Sequence, residues 1–202
     1  MKRALIVIDV QNDYFDGNLP IAYPDPSGSL ANIGLAMDAA RAAGVLVVVV
    51  ESVLPENAPI FAKGSHGAAL HPSIASKPRD WLLSKPLPSC MAKTGLEEWL
   101  RERNIDTITL VGYMTHNCVD ATARDASQRG FTVEVLSDAA GSPPYANSAG
   151  KASAEDLHRV FLIAMQARFA SVLTTHGWTG LLPATPAPPC TGIWRSFKNA
   201  TG

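Results

Sequence analysis

Three cysteines in 202 residues are too few to staple this chain, and any pairing among Cys90, Cys118 and Cys190 leaves one over. Their spacing is not that of a metal site. Such usage points to a reducing cytoplasm, where a thiol serves packing or chemistry. Charge of one sign is also missing: 17 basic and 18 acidic side chains nearly cancel, leaving a formal charge of -1. No basic stripe is available to follow a phosphate backbone, so nucleic acid is not an expected partner. Long apolar runs are absent too. Val45 to Val50 is as long as any, far short of the roughly 20 residues that span a bilayer, so no membrane is expected. The opening "MKRALIVID" has the basic start of a secretory leader, but its apolar stretch meets Asp9 too soon and no small-residue cleavage site follows.

What is present is 47% hydrophobic residues, enough to bury one sizeable core. "ALIVIDV" (4–10) and "VLVVVVES" (45–52) are continuous β-branched runs, as in strands covered on both faces. Between them "LANIGLAMDAARAAG" (30–44) has helical spacing and stops at Gly44. Strand, helix and strand in that space make a βαβ unit with parallel strands. Residues 54 to 80 are rich in Pro, Gly, Ser and Ala and predict a long irregular connection. "WLLSK" (81–85) is a short strand, and 94–104 a helix capped by Thr94 with Glu97 in the capping box. Then come strand 106–113, helix 118–130, strand 131–138, helix 153–169 capped by Ser153, and strand 170–175. The expected organisation is a doubly wound α/β domain over 1–182 and a Pro-rich tail over 183–202 that lies on the surface or on a partner, or is disordered.

In an open parallel sheet ligands bind outside the carboxyl ends of the strands. Three residues suited to covalent chemistry fall there: Asp9 after "LIVI", Lys85 after "WLLS", and Cys118 past "TLVGY". With Asn117 as N-cap, the thiol would lie in a first helical turn, where free N–H groups and a nearby ammonium favour a thiolate. Those N–H groups can also hold the oxyanion of a tetrahedral intermediate. Each residue has a plainer reading. The cysteine can be a small buried hydrophobe, the aspartate a turn residue, and the lysine a solvated loop charge.

"ALIVIDVQNDYFDG" and the stretch from "LLSKPLPSCMAKTGLEEWL" through "GYMTHNCVDATARDA" to "FTVEVLSDA" resemble the isochorismatase-like superfamily of cysteine hydrolases, over about residues 3 to 175. The resemblance implies a three-layer, Rossmann-like α/β fold with a six-stranded, mainly parallel sheet. It implies an Asp–Lys–Cys triad matching Asp9, Lys85 and Cys118. It also implies a cis Tyr113–Met114 bond, with the backbone amides of Met114 and Cys118 as the oxyanion hole, and a homodimer or larger assembly. One departure matters. Nicotinamidase-like members carry Asp-x-His after the second strand, where this chain has "ESVLPENAP". Its histidines His66 and His71 come later, in a Gly/Ala-rich loop, and read as structural rather than as metal ligands.

The reaction expected is hydrolysis of a small carboxamide or ureido C–N bond through a thioester, with no cofactor. Gln11, Tyr14, Tyr113 and His116 are candidate substrate-binding residues, and Phe15, Trp81 and Tyr145 further aromatics near the pocket. Asn12 and Asp13 would shape its mouth. Two rivals stand beside this reading. One is vinyl-ether hydrolysis of an isochorismate-like diacid, which would not need the cysteine. The other is a non-catalytic thiol or redox module.

Overall fold

Every residue of strand β1 (Arg3–Ile8) is buried, and its side chains enter two separate cores in alternation. Ala4, Ile6 and Ile8 join one, Leu5 and Val7 the other. A strand apolar on both faces needs cover on both, and the rest of the chain supplies it. The computed structural model describes all 202 residues.

After β1 come a 3-10 turn (Asn12–Tyr14), α1 (Pro26–Ala42), β2 (Leu46–Ser52), α2 (Pro72–Ala75), β3 (Trp81–Lys85), α3 (Leu96–Glu102) and β4 (Thr107–Tyr113). A π-helical turn (Thr115–Val119) leads into α4 (Asp120–Gln128) and β5 (Thr132–Gly141). A hairpin of β6 (Tyr145–Asn147) and β7 (Gly150–Ala152) precedes α5 (Ala154–Arg168), β8 (Ser171–Leu173), α6 (Thr175–Thr179) and α7 (Ile193–Thr201). Six strands form one sheet in the order β3-β2-β1-β4-β5-β8. Every pairing in it is parallel.

Helices α3, α4 and α5 close one face through Leu96, Leu100, Ala123, Ala126, Leu162 and Met165. On the other face, α1 and α6 bring Ile33, Met37, Ala40 and Trp178. The result is a three-layer α/β fold. The chain steps outward from β1 to β3, then returns to place β4 on the other side of β1, so the strand order reverses between β1 and β4. That is where an open α/β sheet makes its ligand crevice.

Several boundaries differ from the sequence expectation, each for a local reason. Helix α1 begins four residues early, because Asp25 caps it by accepting from the Gly28 N–H (2.9 Å) and Pro26 fits the first turn. Thr94 does not cap α3. Gly95 takes that place at φ +76, while the Thr94 hydroxyl donates to the Cys90 carbonyl (2.5 Å). Ser153 does cap α5, accepting from the Asp156 N–H at 3.0 Å. Strand β5 runs on to Gly141, and the β6–β7 hairpin, polar and short, left no apolar alternation to read. No helix is long and apolar enough to cross a membrane.

The tail is held by the amino end of the sheet. Arg3 pairs with Glu134 at 2.7 Å, both side chains fully buried. The same guanidinium donates to the carbonyls of Leu181, Pro183 and Thr185. Thr109 and Trp178 complete the Glu134 carboxylate with hydrogen bonds of 2.6 and 3.0 Å. Farther along, Ser171 donates to the Pro188 carbonyl (2.6 Å), and the Thr191 N–H to that of Gln166 (3.0 Å). Residues 193–201 then form α7, with Trp194 and Phe197 exposed.

Removing one partner of a buried ion pair leaves the other uncompensated. Arg3→Met is therefore expected to lower unfolding stability by about 3–5 kcal/mol in urea titration. Arg3→Met/Glu134→Gln should recover part of that loss.

Candidate functional site

Asp9 stands one residue past β1, Lys85 ends β3, and Cys118 lies in the π turn after β4. The fold brings the three together. Lys85 Nζ is 2.9 Å from Asp9 Oδ2 and donates to Cys118 Sγ (3.3 Å) and to Ser52 Oγ (2.8 Å). The Asp9 and Lys85 side chains are each only 1% exposed, so water does little to screen their attraction. Beyond the Lys85 contact the Asp9 oxygens have no hydrogen-bond partner, so the carboxylate keeps lone pairs free for a proton.

Asp9 reaches this place through an unusual backbone. Its φ is +52, in the left-handed region that aspartate tolerates better than most residues. Its N–H donates to the Val50 carbonyl and its own carbonyl accepts from Gln11 N–H, both at 2.9 Å. The neighbouring strand must make room for that kink. Gly112, at φ +108, does so: a Cβ there would lie 2.0 Å from the Ile8 carbonyl oxygen.

Polar residues after Asp9 hold the pocket wall. Gln11 donates to the carbonyls of Ser52 (2.8 Å) and Ala68 (2.7 Å) and accepts from the Ser52 N–H (2.9 Å). Its carboxamide is thus committed to backbone and does not line the cavity. Asp13 accepts from the N–H groups of Asn18 (3.0 Å) and Phe61 (2.6 Å), and Asn12 donates to the His66 carbonyl (3.0 Å). Together they fix the irregular stretch that carries Ile60 and Phe61.

The cavity above the three residues holds about 190 Å³. Tyr14, Leu54, Ile60, Phe61, Leu87 and Met114 wall it, with Ser52, Lys85, Asn117 and Cys118 as its polar lining. Of the aromatics expected from sequence, Tyr14 is a wall. Tyr113 sits behind it, buried, with its hydroxyl 2.8 Å from Ser29 Oγ and its ring against Tyr14 and Phe15. His116 is not a cavity wall: it bonds Ser142 Oγ (2.9 Å) and packs against Tyr145 and Phe161. Trp81 stacks on Trp99 instead of on the pocket. His66 bonds Asp16 (3.0 Å), while His71 caps α2 and packs on Phe15. No three His, Cys, Asp or Glu side chains gather as a metal site.

Ser52, Leu54, Ile60 and Leu87 were missed by the sequence reading. The first ends a strand, and the others lie in loops where an apolar residue carries no periodic signal.

The Tyr113–Met114 bond is cis. The Met114 N–H donates to no acceptor within the chain and stands beside the cavity that Met114 lines. Asn117 does not cap a helix. Cys118 lies inside the π turn, with α4 starting at Asp120, and its carbonyl accepts from Thr122 Oγ1 at 2.7 Å.

The thiol differs from the sequence expectation. Burial, and then the Asp9 charge, push Cys118 above the ordinary cysteine range, with Lys85 pulling the other way. Burial likewise raises Asp9 against the pull of Lys85. Burial acts to lower Lys85, but the Asp9 charge outweighs it and holds the ammonium above its usual value. These directions favour a protonated thiol beside an ammonium and a carboxyl group more basic than usual. The ammonium already has its anion in Asp9, which is why it does not create a thiolate.

Two expectations follow. Asp9→Asn removes the anion and leaves Lys85 facing sulfur alone, so thiolate absorbance near 240 nm should appear at pH 7 in the variant and not in the parent. The second concerns His158, which bonds Thr115 Oγ1 (2.8 Å) in the cysteine turn and is pushed down to about 4 by burial. A lowered histidine favours the neutral form in the fold. Its stabilisation is full above the unfolded value near 6.5 and is lost as pH falls toward 4. The loss should be about 3 kcal/mol, read as a drop in Tm between pH 6.5 and 4 that His158→Gln lacks.

Comparison with known proteins bears on the same region. Residues 3–177 match the family model of the isochorismatase domain. The isochorismatase family protein YddQ of Bacillus subtilis (strain 168) is 30% identical over 179 residues, spanning 88% of this chain and 99% of that one. The ureidoacrylate amidohydrolase RutB of Methylobacterium radiotolerans is 32% identical over 207 residues, 86% of this chain and 74% of its own. A crystal structure of a candidate isochorismatase from Burkholderia xenovorans LB400 superposes with a TM-score of 0.96 at 52% identity, over 98% of this chain and 96% of the other. By sequence and by fold, the chain belongs to the isochorismatase family.

Proposed function

We propose that the protein is a cysteine hydrolase that cleaves a small carboxamide or ureido C–N bond through a thioester. The observation that carries this reading is the buried Lys85 ammonium, in contact with Asp9 Oδ2 at 2.9 Å and Cys118 Sγ at 3.3 Å beneath a small cavity. The relative RutB, an amidohydrolase, supports the choice of bond.

Asp9, its basicity raised by burial, takes the thiol proton as Sγ attacks the carbonyl carbon. The carbonyl π electrons move to oxygen, and the N–H groups of Met114 and Cys118 receive the oxyanion. The intermediate collapses, and Asp9 passes the proton to the departing nitrogen, so ammonia or an amine leaves and an S-acyl cysteine remains. Water then attacks the thioester with Asp9 taking its proton. Sulfur departs and is reprotonated, and the acid is released. Lys85 stays protonated throughout, offsetting the anion first on Asp9 and then on sulfur. One amide and one water give one acid and one amine, and no redox step is needed.

Cys118→Ser and Lys85→Met should each lower kcat at least ~1,000-fold in an ammonia-release assay on a carboxamide panel. Activity that survives in Cys118→Ala would overturn the thioester route and favour the vinyl-ether reaction.

A further inference from the structure

We infer that the pocket accepts amides with a short uncharged acyl group, aliphatic or aromatic, and rejects those bearing a carboxylate. This deepens the hydrolase reading and rests on it only for the turnover assay. The walls facing the thiol are side chains of Leu54, Ile60, Phe61, Leu87, Met114 and Tyr14, none of them ionised at neutral pH. Lys85 is the one cation in the lining, and it has nothing left to offer an anionic substrate. An ammonium has three donors, and the three neighbours of this one are Asp9, Ser52 and Cys118, at 2.9, 2.8 and 3.3 Å.

Asp9, outside the lining and 2.9 Å from Lys85, offsets that ammonium's charge, so the pair offers a substrate anion no net attraction. A substrate carboxylate would therefore shed its water with no counter-charge to replace it, a transfer that buried sites avoid. Size narrows the class further. About 190 Å³ is room for roughly six water-sized groups of ~30 Å³, below the ~300 Å³ at which sites for drug-sized ligands begin. The Asn117 carboxamide, also in the lining, makes no side-chain hydrogen bond within the chain and can meet the substrate carboxamide.

The test pairs neutral probes with anionic ones of similar size on the full chain. Butyramide and benzamide should exceed succinamate in kcat/KM by about 50-fold or more, the order expected for a site that leaves a buried charge unpaired. Leu87→Arg, at a position 41% exposed and so able to take the longer side chain, should narrow that ratio at least tenfold. Equal or better turnover of succinamate by the parent overturns the inference while leaving the hydrolase reading intact.

A second readout does not depend on turnover. At pH 9, rates of modification by iodoacetamide and by iodoacetate are mapped at Cys118, with the partly exposed Cys190 as internal reference. A preference for the neutral reagent at Cys118 at least tenfold above that at Cys190 supports the uncharged pocket, even if no amide is hydrolysed and the proposed reaction fails. Equal preference at the two cysteines overturns it.

Discussion

The ion pair between Lys85 and Asp9 is the interaction on which the rest of the site depends. Two opposite charges are held at 2.9 Å with almost no access to water. Taking each out of solvent costs several kcal/mol, and their attraction compensates only if the geometry is close to ideal. The fold supplies that geometry by adjacency. Val50 on β2 pairs with Ile8 on one side, while Ser52, two residues on, pairs with Lys85 on the other. The acid and the amine therefore emerge at neighbouring strand ends, tied through Ser52. The same pair sets the state of Cys118. An unpaired ammonium beside sulfur would create a thiolate; one already bound to a carboxylate leaves a thiol with a base at hand.

The two ends of the sheet do different jobs with similar materials. At the amino end Arg3 and Glu134 are also buried and paired, but every lone pair and donor nearby is met by Thr109, Trp178 or a tail carbonyl. That network is saturated and holds the C-terminal segment in place. At the carboxyl end Asp9 has only its contact with Lys85 and the Met114 N–H has no acceptor. Unmet polar atoms beside a cavity are what a reacting carbonyl can complete, and a saturated network offers none.

Much of this was legible in the sequence, for identifiable reasons. The buried strands show as β-branched runs, and chemistry-bearing residues at their ends follow from the rule for open parallel sheets. Gly112 and Asp9 were different. Nothing in "LIVIDV" says that Asp9 turns to positive φ, and so nothing says that its neighbour across the sheet must be glycine. Gln11 looked available to a ligand because its type is polar, whereas its partners are backbone groups of Ser52 and Ala68, far along the chain. The thiolate expected at Cys118 rests on a lysine nearby, and a sequence does not show that an aspartate already holds that lysine. The pocket walls at 54–61 and at Leu87 lie in loops without periodicity, and only the packed structure brings them over the thiol.

The central claim is that Cys118 becomes acylated during turnover. The most direct measurement is to mix the protein with a hydrolysable butyramide or butyrate ester, quench in acid within milliseconds to seconds, and map the cysteine peptides by mass spectrometry. The account requires a butyryl group on Cys118, absent from Cys90 and Cys190, which accumulates and decays with turnover. Product formation with Cys118 unmodified at every time point would contradict it.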